Sequence, residues 1–304
     1  MAEQKERKGL TVVVTGASSG IGKGLAIQLA AEGANVVFAA RRTEVIEEVA
    51  GDLGPNAMAV TADVSREEEV GRLFDAAIRN FGKIDVWINN AGIGAYGSFT
   101  ETPLEDLTRI VDVNLLGTMY GSHYALGWFK EQGHGTLINV GSFGGKIAIP
   151  SGAAYSASKF GINGLSGGLF QEMELEEREN IHVCVVNPWV TDTPWTVHAG
   201  NYSGHEILVG PADAPEKVVE TIIGLIDEPQ ENVDIGIKSK AAVAGSNLAP
   251  GMTDQSTGRL LSKMLKEAPP SSHTSGSLHV PVAEGTGVSG DLRKRLKMKK
   301  EGEK

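Results

Sequence analysis

Tyr155 and Lys159 stand four residues apart in Tyr-Ser-Ala-Ser-Lys, and Ser142 precedes them in Asn139-Val-Gly-Ser142. On a helix, residues four apart share a face, so the Lys159 ammonium sits beside the Tyr155 phenol and favours its ionised form. A phenol held in this way exchanges protons near neutral pH. The Ser142 hydroxyl adds a hydrogen bond at the same substrate oxygen, so the triplet suits an alcohol or a carbonyl without a metal. A tyrosine and lysine at this spacing are more often a solvated helix face, and only the surrounding elements decide between the two readings.

Those elements begin at the N-terminus. Leu10-Thr-Val-Val-Val-Thr15 is a β-branched run that opens into Gly16-Ala-Ser-Ser-Gly20-Ile-Gly22 and then an amphipathic stretch ending at Gly33. The pattern predicts strand, glycine turn and helix. Glycines at 16, 20 and 22 remove Cβ atoms that would hold the backbone away from a pyrophosphate, and the amides opening the helix supply donors and dipole for it. Further apolar runs, Asn35 to Ala40, Ala57 to Val64, Ile84 to Asn89, Thr136 to Val140, Ile181 to Val186 and Val233 to Ile237, alternate with helical stretches. Such alternation predicts an α/β fold whose parallel sheet is covered on both faces, with the ligand crevice at the carboxyl ends of the strands. Gly16, Arg41, Asp63, Asn90, Ser142 and Pro188 each follow a predicted strand.

Thr15-Gly-Ala-Ser-Ser-Gly-Ile-Gly22 resembles the TGxxxGxG cofactor motif of the short-chain dehydrogenases/reductases. The family's other motifs follow in order over 10–237: Asp63-Val64, Asn89-Asn90-Ala91-Gly92, Asn114, Ser142 and Tyr155/Lys159. This resemblance implies a doubly wound parallel sheet (Rossmann fold) in a single domain. It implies hydride transfer between nicotinamide and an alcohol or ketone, with Tyr155 as general acid/base and Asn114, Ser142 and Lys159 as its catalytic partners. Lys159 would also bond the nicotinamide ribose, and Asn114 would hold a water linking Lys159 to solvent. Gly16, Ser18, Ser19, Gly20, Ile21, Gly22, Asp63, Val64, Asn90, Ala91 and Gly92 are expected at the dinucleotide, with Tyr155, Lys159, Pro188, Val190 and Thr193 at its nicotinamide end. Homodimers or homotetramers are expected as well, with the small residues Ala154, Ser158 and Gly161 permitting close helix packing.

Cofactor choice is read at the end of the second strand, Val36-Val-Phe-Ala-Ala-Arg41-Arg42. An acidic residue there would bind the ribose of NAD. Arg41 and Arg42 offer guanidinium groups to a 2′-phosphate instead, so NADP is expected, with NAD possible because Glu44 follows and Ser19 is not basic. One departure from the family stands in Asn187-Pro188-Trp189, where relatives usually carry glycine after the proline. Trp189 is expected to narrow the pocket. The stretch from Pro194 to Pro211 holds Trp195, His198, Tyr202 and His205 and resembles the variable substrate lid.

Composition bounds the rest. With 304 residues the chain suits one large domain carrying a tail. A single cysteine, Cys184, excludes an intramolecular disulfide framework and suits a reducing cytoplasm. The polar segment 1–9 has no apolar signal core, and no run is long enough to span a bilayer. A formal net charge of −10 argues against general nucleic-acid binding, and neither histidine of the lid has partners at metal-ligand spacing. Beyond 237 the chain is rich in Ala, Gly, Ser and Pro and is expected to be a largely flexible extension. Within it, Leu260 to Lys266 is expected to form a short docking helix, and the basic end Arg293 to Lys300 a solvated tail. The alternative to an enzyme is a dinucleotide-binding scaffold or redox sensor, should Trp189 block the pocket.

Overall fold

The computed structural model describes residues 6–248 and 250–302, so part of the expected polar N-terminal segment lies outside the described residues. Strand β1 (Thr11–Thr15) leads into α1 (Gly20–Ala31), β2 (Asn35–Ala40) into α2 (Thr43–Leu53), and β3 (Ala57–Thr61) into α3 (Glu67–Phe81). After β4 (Val86–Asn89) and the short β5 (Ala95–Tyr96), helix α4 (Leu104–Val111) passes through one π-helical turn, Asp112–Leu116, into α5 (Gly117–Gln132). There follow β6 (Gly135–Val140), α6 (Ala153–Leu175), β7 (Ile181–Pro188), α7 (Trp195–His198), β8 (Gly200–Asn201), α8 (Pro215–Asp227) and β9 (Asn232–Ile235). Among the described residues three further helices follow: α9 (Ile237–Leu248), α10 (Pro250–Lys266) and α11 (Leu292–Gly302).

The seven long strands form one sheet in the order β3-β2-β1-β4-β6-β7-β9, with every pairing parallel. Because side chains alternate along a strand, each strand feeds two cores. Val12 and Val14 of β1 join Val36 and Phe38 of β2 on the face covered by α1, α2 and α8, where Leu25, Leu29, Ile46 and Ile222 pack. Val13 joins Val37 and Trp87 on the other face, under Leu73 of α3, Phe129 of α5 and Met173 of α6. Burial on both faces explains why these strands read as continuous apolar runs. Cys184 is 1% exposed and packs in the first core as a small hydrophobe, its thiol pushed up to about 11 by burial.

The strand order reverses between β1 and β4, which opens the crevice at their carboxyl ends. A buried polar ladder fixes the helices that flank it. Asn89 of β4 donates to Asn139 of β6 (2.9 Å) and to Ser122 of α5 (3.2 Å), accepts from Trp87 Nε1 (2.7 Å), and Asn139 donates to Ser166 of α6 (3.0 Å). Ala154, Ser158 and Gly161, read from the sequence as an opening for a partner helix, face the chain's own interior. Ser158 bonds Asn114, Ala154 packs beside Leu278, and a Cβ on Gly161 would stand 2.8 Å from the Leu115 side chain.

The extension beyond 237 differs from a tail. Leu261 and Leu265 of α10 pack with Tyr96, Phe143 and Ile149, as the expected docking helix would. Leu278 and Leu292 are fully buried. The basic run from Arg293 forms α11, which docks through Leu292 and Leu296, while Asp192 accepts from the Leu292 amide at its N-terminus (2.7 Å).

At the other end, Arg7 is buried, with its guanidinium on Glu32 (2.6 Å) and Asp227 (2.8 Å). It ties the segment before β1 to the ends of α1 and α8. Removing one member of a buried, multiply bonded ion pair leaves charge uncompensated. Arg7→Ala should therefore cost about 3 kcal/mol of unfolding free energy by that measure, seen as a lowered urea midpoint; an unchanged midpoint would show that the N-terminal segment is not part of the folded unit.

Candidate active site

Thr15, at the end of β1, holds the crevice edge together. Its hydroxyl accepts from the amides of Asn90 (3.0 Å) and Ala91 (3.1 Å), and its carbonyl accepts from Asn90 Nδ2 (2.9 Å). Asn90 thus secures the β4 turn against the glycine turn. The turn itself has no room for side chains: a Cβ on Gly22 would meet the Gly16 carbonyl oxygen at 2.5 Å, and one on Gly16, whose φ is +70°, would lie 2.7 Å from Ala91 Cα. The backbone therefore faces the crevice directly where α1 begins.

One continuous groove follows from this packing. Gly16, Ser18, Ser19, Gly20 and Ile21 line it beside Arg41, Arg42, Asp63 and Val64 at one end. Asn90, Ala91, Gly92, Ser142, Tyr155, Lys159, Pro188, Val190 and Thr193 line the other. Gly22 lies beneath the turn and shapes it without lining the groove. Asn114 stands behind the groove and is fully buried. Every site residue read from the sequence thus falls in, or directly behind, one crevice.

At the inner end Ser142 follows β6 in extended conformation, and its hydroxyl accepts from the Gly144 amide (3.1 Å). Tyr155 and Lys159 project from α6, with Lys159 Nζ 5.8 Å from the centre of the Tyr155 ring. That ammonium donates to the Val140 carbonyl (2.8 Å). The expected depression of the Tyr155 phenol is overturned here. Burial pushes its pKa up, and a hydrogen bond with Ser142 opposes the rise. Burial lowers Lys159 to about 8.

Asn114 sits in the π-helical turn between α4 and α5, a distortion that turns its amide toward the β4 turn. Its Oδ1 accepts from the Ile93 amide (2.8 Å), and its Nδ2 donates to the Ile93 carbonyl (2.9 Å) and to Ser158 Oγ (3.0 Å). A Cβ on Gly92 would lie 3.5 Å from both Asn114 Oδ1 and Lys159 Nζ, so glycine leaves the space between those two polar groups open.

Aromatic rings form the wall opposite. Trp195 packs edge-on against Tyr155 (5.4 Å between centroids) and Tyr96 (6.0 Å). Trp189 lies against Phe143 at 4.4 Å, its indole N–H donating to the Pro211 carbonyl (3.0 Å). That bond ties the bulky residue to the pocket wall, where it narrows the site without filling it.

Two features escaped the sequence reading. Arg109 of α4 holds Asp63: burial alone would raise that carboxyl, but Arg109 and Ser65 together hold it below the usual range. More consequential is the segment 277–290, which crosses the outer end of the groove. Arg41 donates to the carbonyls of Ser277, Leu278 (3.0 Å) and His279 (3.0 Å). Arg42 donates to Ser18 Oγ (3.0 Å), Ser19 Oγ (2.8 Å) and the Glu284 carbonyl (3.2 Å). No motif marks this segment; its one local signal is the recurrence of glycine at 276, 285, 287 and 290.

The groove fits a dinucleotide on the evidence of its backbone cradle, which a Cβ at Gly16 or Gly22 would fill. Comparison with known proteins agrees with the geometry. The family described as short chain dehydrogenase matches residues 10–201. An uncharacterized oxidoreductase of Bacillus subtilis, YxnA, is 35% identical over 270 residues, covering 86% of this chain and 74% of its own length. Another, from Staphylococcus saprophyticus, is 31% identical over 229 residues, covering 74% and 93%. Among solved structures, a 3-ketoacyl-(acyl-carrier-protein) reductase from Brucella melitensis complexed with NADH superposes with a TM-score of 0.65 at 30% identity, covering 75% of this chain and 96% of that one. A short-chain dehydrogenase/reductase from Burkholderia phymatum in complex with NAD reaches 0.71 at 23% identity, covering 81% and 96%, a likeness of fold. With its glycine turn, its parallel sheet and these relatives agreeing, the chain belongs to the short-chain dehydrogenase family and is an oxidoreductase of that family.

Proposed function

We propose that this protein interconverts a small-molecule alcohol and its ketone or aldehyde with a nicotinamide dinucleotide, Tyr155 moving the proton on oxygen. The observation that carries this reading is the meeting of Ser142, Tyr155 and Lys159 in one crevice with the glycine turn. A bound nicotinamide dinucleotide would supply or accept the hydride.

The chain's own residues handle the proton. Burial keeps the Tyr155 phenol protonated at neutral pH, which suits donation to a carbonyl oxygen. Ser142, lining the same end of the groove as that phenol, orients the oxygen beside it. Lys159 places a cation near the ring that steadies the phenolate left after donation. Asn114 positions the backbone at Ile93 and supports a relay from Lys159 toward solvent. Tyr96, Phe143, Ile149, Trp189 and Trp195 line the substrate end, which favours an apolar or ring-bearing body on the substrate.

At the cofactor's adenosine end, the paired charges of Arg41 and Arg42, with no acid at the end of β2 itself, favour NADP(H) over NAD(H). Asp63 and Val64 border the adenine in this reading, and Gly20 and Ile21 the pyrophosphate. Assembly as a homodimer or homotetramer is part of the same proposal, supported by the exposure of Met119 on α5 and Phe160 on α6, and light scattering reads it directly. Among the described residues no helix is long and apolar enough to cross a membrane.

Tyr155→Phe should lower kcat by at least about 100-fold, as loss of a general acid does, while NADPH binding measured by calorimetry stays within twofold; retained turnover would remove Tyr155 from the chemistry. A dinucleotide-binding scaffold, the alternative, would bind cofactor and show no Tyr155-dependent turnover with any carbonyl. For Lys159 the sign is opposite in stability and activity. Its folded pKa of about 8 lies below the ordinary 10.5, so the unfolded chain binds more protons across that interval and stability rises with pH there. Lys159→Met should accordingly abolish turnover yet raise the thermal midpoint at pH 7, the gain shrinking as pH climbs from about 8 toward 10. A lower midpoint at pH 7 would show that the buried ammonium is not a burden on the fold.

A further inference from the structure

Four cations around the cofactor groove bind the same stretch of backbone. Arg41 and Arg109 hold the Leu278 carbonyl (3.0 and 3.1 Å), Arg42 holds that of Glu284 (3.2 Å), and Lys23 Nζ holds that of Thr286 (3.1 Å). The amide of Gly20, at the start of α1, donates to the Gly287 carbonyl (2.9 Å). These donors are positively charged or lie at the positive end of a helix, and their partners are all neutral carbonyl oxygens.

We propose that residues 277–290 form a strap that competes with the phosphate groups of the dinucleotide for these donors, and so sets how strongly the protein prefers a 2′-phosphate. The proposal rests on the reading of the groove as a dinucleotide site. Arg42 bonds through all three of its nitrogens, to Ser18, Ser19 and strap carbonyls, so a 2′-phosphate gains that guanidinium only by replacing part of this set. The Gly20 amide poses the same choice for the pyrophosphate. Phosphate is the better acceptor for a guanidinium because both partners are charged, which gives the exchange its direction.

Anchors at either end hold the strap in place against that exchange. Leu278 is fully buried among Ala95, Ile110 and Ala154, and the Ser277 amide donates to the His198 carbonyl (2.8 Å). Leu292 is fully buried at the start of α11, where Asp192 caps it. Between the anchors the chain approaches the body closely at Gly285, whose φ is +71° and where a Cβ would stand 2.7 Å from His198 Nε2 and 2.9 Å from Pro194 Cβ. A strap fixed at its ends and held between them by neutral carbonyls can lift without loss of the α/β core.

Hydrogen exchange followed by mass spectrometry on the full chain tests this. Saturating NADPH should speed exchange of amides across 277–290 several-fold, NADH less, and adenosine, which carries no phosphate, not at all. Slower or unchanged exchange there with NADPH bound would overturn the proposal, since it would mean that the strap closes over the ligand or ignores it. Gly285→Val, which loosens the strap outside the catalytic residues, should tighten NADPH binding about tenfold and NADH binding less; Leu292→Ala serves the same purpose through an anchor. Equal or weaker NADPH binding in both variants would overturn the proposal as well. Failure of wild type and variants alike to bind either dinucleotide would remove the underlying reading of the groove, and the strap proposal with it.

Discussion

The functional edge of this molecule depends on the contact between the ends of β1 and β4. Thr15 bonds the turn after β4 through its hydroxyl and its carbonyl, and Gly16 and Gly22 let the two turns touch without intervening side chains. Separating those strand ends by a methyl group would move the start of α1 away from Asn90 and Gly92. The position of every group in the crevice, from the α1 amides to Lys159, is referred to that junction.

Above it, a second constraint fixes Asn114, Ser142, Tyr155 and Lys159. The ladder from Trp87 through Asn89 and Asn139 to Ser122 and Ser166 bonds two neighbouring strands to α5 and α6. Polar groups inside an apolar core demand their partners, so the ladder sets where the helices sit along the strands. The π-helical turn then brings Asn114 onto Ile93, and α6 brings Tyr155 beside Ser142. The same burial that orders these residues raises the phenol and lowers the lysine, which leaves the Tyr155 phenol protonated at neutral pH.

Much of this was legible in the sequence for physical reasons. Continuous β-branched runs, glycines where backbone must approach backbone, and Tyr155 and Lys159 on one helical face all carry their structural meaning locally. The rise of the Tyr155 phenol was not legible, because burial is a property of the whole fold and the local sequence shows only the neighbouring lysine. Arg41 and Arg42 were read as free donors, yet the carbonyls they hold come from more than 230 positions further along the chain. Leu278 and Leu292 gave no signal either: each lies among Gly, Ser or basic residues in a short run without clear periodicity, and only tertiary packing shows it as an anchor.

In the proposed reaction, hydride and proton reach one carbonyl group together in this crevice. The most direct test follows isotope from NADPH deuterated at nicotinamide C4 into the products of a panel of apolar ketones and aldehydes. The account predicts deuterium on the carbinol carbon of the converted substrate, with the oxygen-bound proton drawn from solvent. NADPH bound in the groove with every carbonyl returned unchanged, or product formed without label at that carbon, would contradict it.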